Sequence, residues 1–383
     1  MKKCILLPDS FKGTMTSIQV STIMKEVILD HWPNCEVISI PVADGGEGTV
    51  DCFLQILGGD KITLRTKNPY MEEIDSFYGL AGDVAIIEMA ASAGLPLVMD
   101  RLNPMETTTY GVGELIADAI THGCKKLIIG LGGSCTNDAG AGMAAALGTK
   151  FYNAKGESFI PLGGTLPKVK RIDKTETEMI TKGLEIIGIC DIDNPLYGKQ
   201  GAAYVFAPQK GADQPMVELL DSGLRSFAAV IQKASGVEVA NMKGAGAAGG
   251  MGAGVFTFLN GKLKQGINTV LDLVEFETLL DGCDAVFTGE GRLDSQSFSG
   301  KVIAGIARRA KPYNIPVIAV VGIMDENMSE IFNEGVTEVY ETGRGRDNFA
   351  EIKAKCIEDL RLTLENIPMI RKNKSQSKDI NRM

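Results

Sequence analysis

Seven carboxylates, Asp44, Glu47, Asp138, Asp191, Asp193, Glu290 and Asp294, stand in or beside glycine-rich stretches, and the cations Lys12 and Arg292 occupy comparable loops. Any one such acid reads equally well as a solvated loop residue. As a set, with two cations, they supply what phosphoryl transfer needs. Backbone amides and a cation hold phosphates, carboxylates hold a divalent metal, and one carboxylate accepts the proton of an attacking hydroxyl. The stretch 130–142, GLGGSCTNDAGAG, is the densest of these. Glycine lets backbone approach a ligand closely, and the free N–H groups of a helix start attract anions. A plain turn would not need the added chemistry of Thr136, Asn137 and Asp138.

The elements that must position these groups follow from periodicity. Residues 3–7 read as a buried strand, and Thr16 with Gln19 reads as a capping box. Val20, Ile23, Met24, Val27 and Ile28 then fall on one helix face. A strand at 36–40, a helix to Leu57 and a strand at 61–66 complete a βαβαβ pattern, which predicts a parallel sheet. From Asn68 the pattern changes. Residues 74–80 and 84–89 predict an antiparallel hairpin, and a helix is expected near 112–121. The apolar run 126–129 feeds the 130–142 loop, and 184–189 forms a strand that delivers Asp191 and Asp193. Regular alternation resumes with a strand at 284–288, a helix at 301–310, strands at 316–321 and 336–340, and a last helix near 347–366. That helix carries Phe349, Ile352, Cys356, Leu360 and Leu364 on one face. The expected organisation is a Rossmann-like α/β domain, 1–67 with 283–370, interrupted by a second α/β domain, 68–282, before a polar tail, 371–383. Loops at the carboxyl ends of strands are where open α/β sheets bind ligands.

Composition narrows the chemistry. The chain has 383 residues, is 44% hydrophobic and carries a net charge of −9, so nucleic acid is not an expected partner. No stretch approaches the length of a membrane span. Eight scattered cysteines without a Cys-x-x-Cys pair read as small core residues of a reduced, cytoplasmic protein. With only His31 and His122, both expected near helix ends, neither a Ser–His–Asp triad nor a histidine-rich metal site is expected. There is no G-x-x-x-x-G-K-[ST] sequence. The run 244–249 does fit G-x-G-x-x-G, but no strand is expected before it and no acid follows at the distance a dinucleotide site requires. A tight backbone crossing or a glycine-lined cleft explains it better than a dehydrogenase does. A non-catalytic receptor for an organic acid would line its cleft with arginine rather than with Asp and Glu.

Five motifs in this order, Asp9-Ser10-Phe11-Lys12-Gly13, Ala43-Asp44-Gly45-Gly46-Glu47-Gly48-Thr49, the 130–142 stretch, Cys190-Asp191-Ile192-Asp193-Asn194-Pro195 and Thr288-Gly289-Glu290-Gly291-Arg292-Leu293-Asp294, resemble those of the bacterial type I glycerate kinases. The resemblance runs over nearly the whole chain and stops in the polar tail. It implies ATP-dependent phosphorylation of D-glycerate with Mg²⁺, yielding phosphoglycerate for glycolysis, with the 2-phosphate favoured. It also implies an active site in an interdomain cleft, small-molecule partners only, and a monomer or homodimer. Two positions depart from the pattern: Cys135 and Ala139 stand where relatives carry alanine and glycine. On this resemblance Lys12 would clamp an anionic group and Ser10 would bind glycerate, with Asp44, Glu47, Arg292 and Ser295 around the substrate. Gly132, Gly133 and Ser134 would cradle phosphates, Asn137 would orient their loop, and Gly289 and Gly291 would line the nucleotide site. Asp191 and Asp193 would hold the metal. Asp294 would be the general base, with Asp191 its rival. With few aromatic residues (6%), aliphatic side chains would hold the adenine.

Motifs in both expected domains imply closure around the reactants, which excludes water. Small-angle scattering should show a smaller radius of gyration with glycerate and a non-hydrolysable ATP analogue bound. An unchanged radius with both ligands bound would contradict closure.

Overall fold

The computed structural model describes residues 1–11, 13–42, 45–294, 302–325, 328–343 and 348–371. The chain begins with β1 (Lys3–Pro8) and β2 (Glu36–Ser39), parallel and joined through the helix Ser17–His31. Thr16 and Gln19 close the expected capping box, and Val20, Ile23, Met24, Val27 and Ile28 are all buried. The chain then passes through β3 (Asp60–Lys67), β4 (Glu73–Ala81), β5 (Val84–Glu88), β6 (Lys126–Gly130), β7 (Lys150–Tyr152), β8 (Ser158–Phe159), β9 (Arg171–Asp173), β10 (Glu185–Ile189) and β11 (Lys262–Lys264). It ends with β12 (Ala285–Leu293), β13 (Val317–Met324) and β14 (Val336–Glu341).

These elements form two units, Met1–Ala43 with Ile267–Met383, and Asp44–Gly266. The first is built on a parallel sheet of order β14-β13-β12-β1-β2, the Rossmann-like arrangement expected. From β1 the chain steps outward to β2, whereas from β12 it steps the other way to β13 and β14, so the strand order reverses between β1 and β12. In sheets of this kind that reversal opens a crevice at the carboxyl ends of the strands. Apolar side chains of β1, β12 and β13 form this unit's core with the helices Ser17–His31 and Phe349–Asn366.

The second unit holds a six-stranded sheet of order β11-β10-β6-β5-β4-β3, parallel through β5, β6, β10 and β11 and antiparallel at β4 and β3. The expected hairpin is present as β4 and β5. β6, Lys-Leu-Ile-Ile-Gly, is buried along nearly its whole length, as a central parallel strand must be. Phe151, Phe227 and Phe258 meet at ring-centroid distances of 5.7–6.3 Å in the core of this unit.

Both domain boundaries fall earlier than the sequence reading puts them. Residues 60–67 belong with the second unit because β3 pairs antiparallel with β4 from Asp60↔Leu80 to Lys67↔Glu73. The preceding helix, Thr49–Leu57, lays Val50 and Leu54 against Gly79 of β4. The opening pattern is therefore βαβ followed by a change of sheet. At the far boundary, Ile267 packs on Gly305, while Asp272 and Glu277 pair with Arg309 at 2.7 and 2.5 Å, which ties this segment to the first unit. The eight cysteines are free thiols, six of them buried. His31 ends its helix, and His122 follows the helix Tyr110–Thr121 with Nδ1 3.0 Å from the Asp118 carbonyl. The tail beyond Arg371 lies outside the described residues.

Candidate active site

At the carboxyl end of β6 two glycine motifs become one packed object. A Cβ on Gly130 would lie 2.4 Å from the Gly45 carbonyl oxygen, and one on Gly132 would lie 2.6 Å from Gly46 Cα. Only glycine permits backbones this close. The Gly132 N–H donates to the Gly45 carbonyl at 2.8 Å, so this amide, expected to cradle phosphate, is already engaged. Gly133 is exposed, and a Cβ there would be 4.0 Å from Glu47 Oε1. Glu88, buried at the end of β5, fixes the other motif by accepting from the Val50 N–H (2.5 Å) and from Gly48 at the start of the helix Thr49–Leu57. Burial pushes its carboxyl up while those two bonds pull it down.

Asp138 is fully buried. Its Oδ2 accepts from the Thr109 N–H (2.8 Å), Thr109 Oγ1 (2.9 Å), the Gly142 N–H (3.1 Å) and Thr108 Oγ1 (3.3 Å), while Oδ1 accepts from the Gly140 N–H (3.1 Å). The acid counted among possible ligand carboxylates thus pins the loop to the start of the helices Tyr110–Thr121 and Ala141–Ala146. Burial pushes this carboxyl up, and the Thr109, Gly142 and Gly140 donors pull it back. Backbone N–H groups cannot turn into acceptors, so the ionised form is the one this nest satisfies.

Behind the loop, the 244–254 glycine run crosses it. Gly249 would place a Cβ 1.9 Å from the Thr136 carbonyl oxygen, Gly250 one 2.9 Å from Ala139 Cα, and the Ala139 N–H donates to the Gly249 carbonyl at 3.1 Å. The crossing preferred from sequence over a dinucleotide motif is what these glycines form. Ala139 itself has φ +54°, the left-handed region in which glycine would be unstrained.

Lys210 escaped the sequence reading. It ends the short turn Pro208–Lys210, is 2% exposed, and donates from Nζ to Thr136 O at 2.7 Å and Ser134 Oγ at 2.8 Å. Burial pushes its amine down to about 8, against the pull of Cys135 and Asp138. Among the described residues no carboxylate lies within ion-pair distance. No periodicity marks a lone lysine more than 70 residues from the loop it serves, so a single sequence held no signal for it. Asn137 is 1% exposed, and neither its side-chain oxygen nor its nitrogen, nor Thr136 Oγ1, has a hydrogen-bond partner among the described residues. Buried polar groups are nearly always paired, so these orphans call for a partner, an ordered water or a ligand.

The remaining acids are spread more widely. Asp191, half-buried just beyond β10, accepts from the Gly266 N–H at 2.9 Å, while exposed Asp193 pairs with Lys243 at 3.1 Å. The strand stops at Ile189, and the two carboxylates are anchored to different segments. Among the described residues no group of three His, Cys, Asp or Glu side chains gathers as a metal site. In the first unit, Ser10 follows β1 and its N–H donates to Asp9 Oδ1 at 2.6 Å. β12 is longer than expected, so Gly289, Glu290, Gly291 and Arg292 belong to a strand rather than a loop. Gly289 serves strand contact there, since a Cβ would stand 2.1 Å from the Val320 carbonyl oxygen. Glu290 is buried, Arg292 bonds Asp325 Oδ1 through Nε (3.1 Å) and Nη2 (2.7 Å), and Asp294 is half-buried at the strand's exit. Lys12, Asp44 and Ser295 lie outside the described residues.

The profile of the glycerate kinase family matches residues 4–372. A glycerate kinase of Bacillus cereus is 40% identical over 377 residues, 98% of this chain and 99% of its own length. Glycerate 2-kinase of Escherichia coli is 40% identical over 341 residues, 88% of this chain and 90% of its own. A crystal structure of a candidate glycerate kinase 2 from Salmonella typhimurium superposes with a TM-score of 0.84 at 38% identity, covering 95% of this chain and 96% of that one. No helix among the described residues is long and apolar enough to cross a membrane.

The nest around Asp138 makes the first mutational test. Asp138→Asn turns an acceptor oxygen into an N–H₂ group facing donors and removes a charge the nest requires. It should cost about 3 kcal/mol by chemical denaturation. A loss below about 1 kcal/mol would show that the loop does not depend on this carboxylate.

Proposed function

The chain belongs to the glycerate kinase family, and on that premise we propose that it transfers the γ-phosphate of ATP to the 2-hydroxyl of D-glycerate. The observation that carries this reading is the 130–142 loop. It exposes Gly133, keeps beside it Ser134 and the Asn137 amide, which has no partner among the described residues, and has a buried cation, Lys210, bonded to Ser134 and Thr136. Glycine-rich backbone at a strand end, backed by positive charge, is suited to phosphate. The phosphate contacts fall to Gly133, Ser134 and Asn137; Gly132 shapes the loop instead.

Mg²⁺ suits this loop on electrostatic grounds. Glu47 stands over Gly133, and a carboxylate beside a phosphate repels it unless a cation lies between them. Bound through phosphates and water, Mg²⁺ needs only one or two carboxylates, and it would neutralise charge on the transferring group. Asp191, half-buried and held in place by the Gly266 N–H, would be the better ligand; Asp193, exposed and paired with Lys243, would be the weaker one.

On the substrate side, Ser10 would donate to glycerate and Lys12 would clamp an anionic group. Asp44, Glu47, Arg292 and Ser295 would complete that contact set. Asp294 would accept the hydroxyl proton as the oxygen attacks phosphorus in line with the departing ADP oxygen. The choice of the 2-hydroxyl is a matter of about an ångström in how glycerate lies against the base, and the Escherichia coli relative is named a glycerate 2-kinase. The product, 2-phosphoglycerate, would enter glycolysis.

Incubation with ATP, Mg²⁺ and D-glycerate, followed by phosphorus NMR, should yield ADP and 2-phosphoglycerate. The 3-phosphate would overturn the regiochemistry, and the absence of any phosphoglycerate would overturn the activity. The two acids should fail differently. Asp191→Asn keeps an oxygen but loses charge, so high Mg²⁺ or Mn²⁺ should restore part of its activity. Asp294→Asn should drop kcat by at least about 10²-fold whatever the metal concentration, because an amide cannot take the proton. Metal rescue of Asp294→Asn and not of Asp191→Asn would exchange the two roles.

A further inference from the structure

The buried ammonium of Lys210 donates two of its three hydrogens to neutral oxygens, Ser134 Oγ and Thr136 O, and no carboxylate among the described residues pairs with it. The acid that contributes most to its surroundings, Asp138, has both oxygens occupied by Thr108, Thr109, Gly140 and Gly142. A buried charge without a counter-ion is costly and is kept only where something else offsets the cost. Ser134 uses a lone pair to accept from Lys210, so its own hydroxyl proton remains to donate, and among the described residues nothing accepts it. A hydroxyl that accepts from an ammonium is polarised into a stronger donor.

We propose that Lys210 is a positioning residue for nucleotide binding, orienting and polarising the Ser134 hydroxyl so that it donates to a phosphate oxygen. This rests on the reading that the 130–142 loop takes the phosphates of ATP. It adds a charge relay from a remote turn and a dependence on pH. The groups facing the amine are the Ser134 hydroxyl, the Thr136 carbonyl, the Cys135 thiol and the Asp138 carboxylate. Burial pushes the thiol up to about 12 and the carboxylate is held ionised by its donors, so between pH 7.5 and 9.5 Lys210 alone among them changes charge. The ammonium is present below about 8 and lost above it. Phosphate affinity is therefore high on the neutral side and falls on the alkaline side.

Calorimetric titration of the full chain with Mg-ADP, without glycerate, reads this directly. The nucleotide phosphates stay fully ionised over the range. The unsubstituted protein should lose about tenfold in affinity between pH 7.5 and 9.5. Lys210→Met should bind about tenfold more weakly at pH 7.5 and show little further fall. Ser134→Ala, which leaves the amine and its Thr136 bond in place, should flatten the profile in the same way. Lys210→Met that binds within twofold of the unsubstituted protein, or keeps the same alkaline fall, would leave the lysine a merely structural strut and overturn the relay. Should Lys210→Met not fold, the other two proteins decide: a flat profile for the unsubstituted chain, or an undiminished fall in Ser134→Ala, overturns it equally. Absence of nucleotide binding by the unsubstituted protein at every pH is a different result, since it removes the phosphate-donor reading itself.

Discussion

One buried carboxylate holds the candidate site together. Asp138 gathers donors from Thr108 and Thr109 ahead of one helix and from Gly140 and Gly142 at the start of another. Each bond to a charged acceptor is stronger than its neutral counterpart, and removing the acceptor would leave several buried donors unsatisfied at once. With Asp138 fixed, the backbone of Thr136 and Ala139 has one course, against the 244–254 crossing on one side and Lys210 beneath. Rigidity at this end of the strand is what a phosphate cradle requires, because donors already in place need not reorganise when the ligand arrives.

That rigidity coexists with features that cost stability. Ala139 takes a left-handed conformation, the Asn137 amide is buried without a partner among the described residues, and Lys210 buries its charge against two neutral oxygens. Each disfavours the fold by itself, and all three meet at residues 134–139. Strain and unsatisfied polarity gathered in one place accord with the phosphate site proposed above. The first unit has its own counterpart: the strand order reverses between β1 and β12, with Ser10 and Asp294 at the ends of those two strands.

Local signals in the sequence were reliable. The capping box of Thr16 and Gln19, the buried face of the helix it starts, the hairpin of β4 and β5, and the strand–loop–helix passage around 130–142 are all as expected. Partnership between distant elements was not legible. Residues 60–67 have the pattern of a strand, but nothing in that pattern says which sheet receives it, and β4 rather than β2 is its neighbour. Glycines at 289 and 291 read as loop, yet both continue β12, and at Gly289 the close approach of β13 excludes a side chain. Asp138 was visible as an acid in a polar loop, whereas its donors come from Thr108 and Thr109, some thirty residues earlier. Lys210 carried no sequence mark at all, and its ammonium bonds the loop's backbone at Thr136.

Amide hydrogen exchange with and without saturating Mg-ATP analogue tests most directly whether the Asp138-pinned loop is the nucleotide's phosphate site. Slowed exchange at residues 133–137 is the expected result, strongest at the exposed Gly133 and its neighbour Ser134. Slowed exchange confined to other segments, with 133–137 unchanged while the analogue is bound, would contradict it.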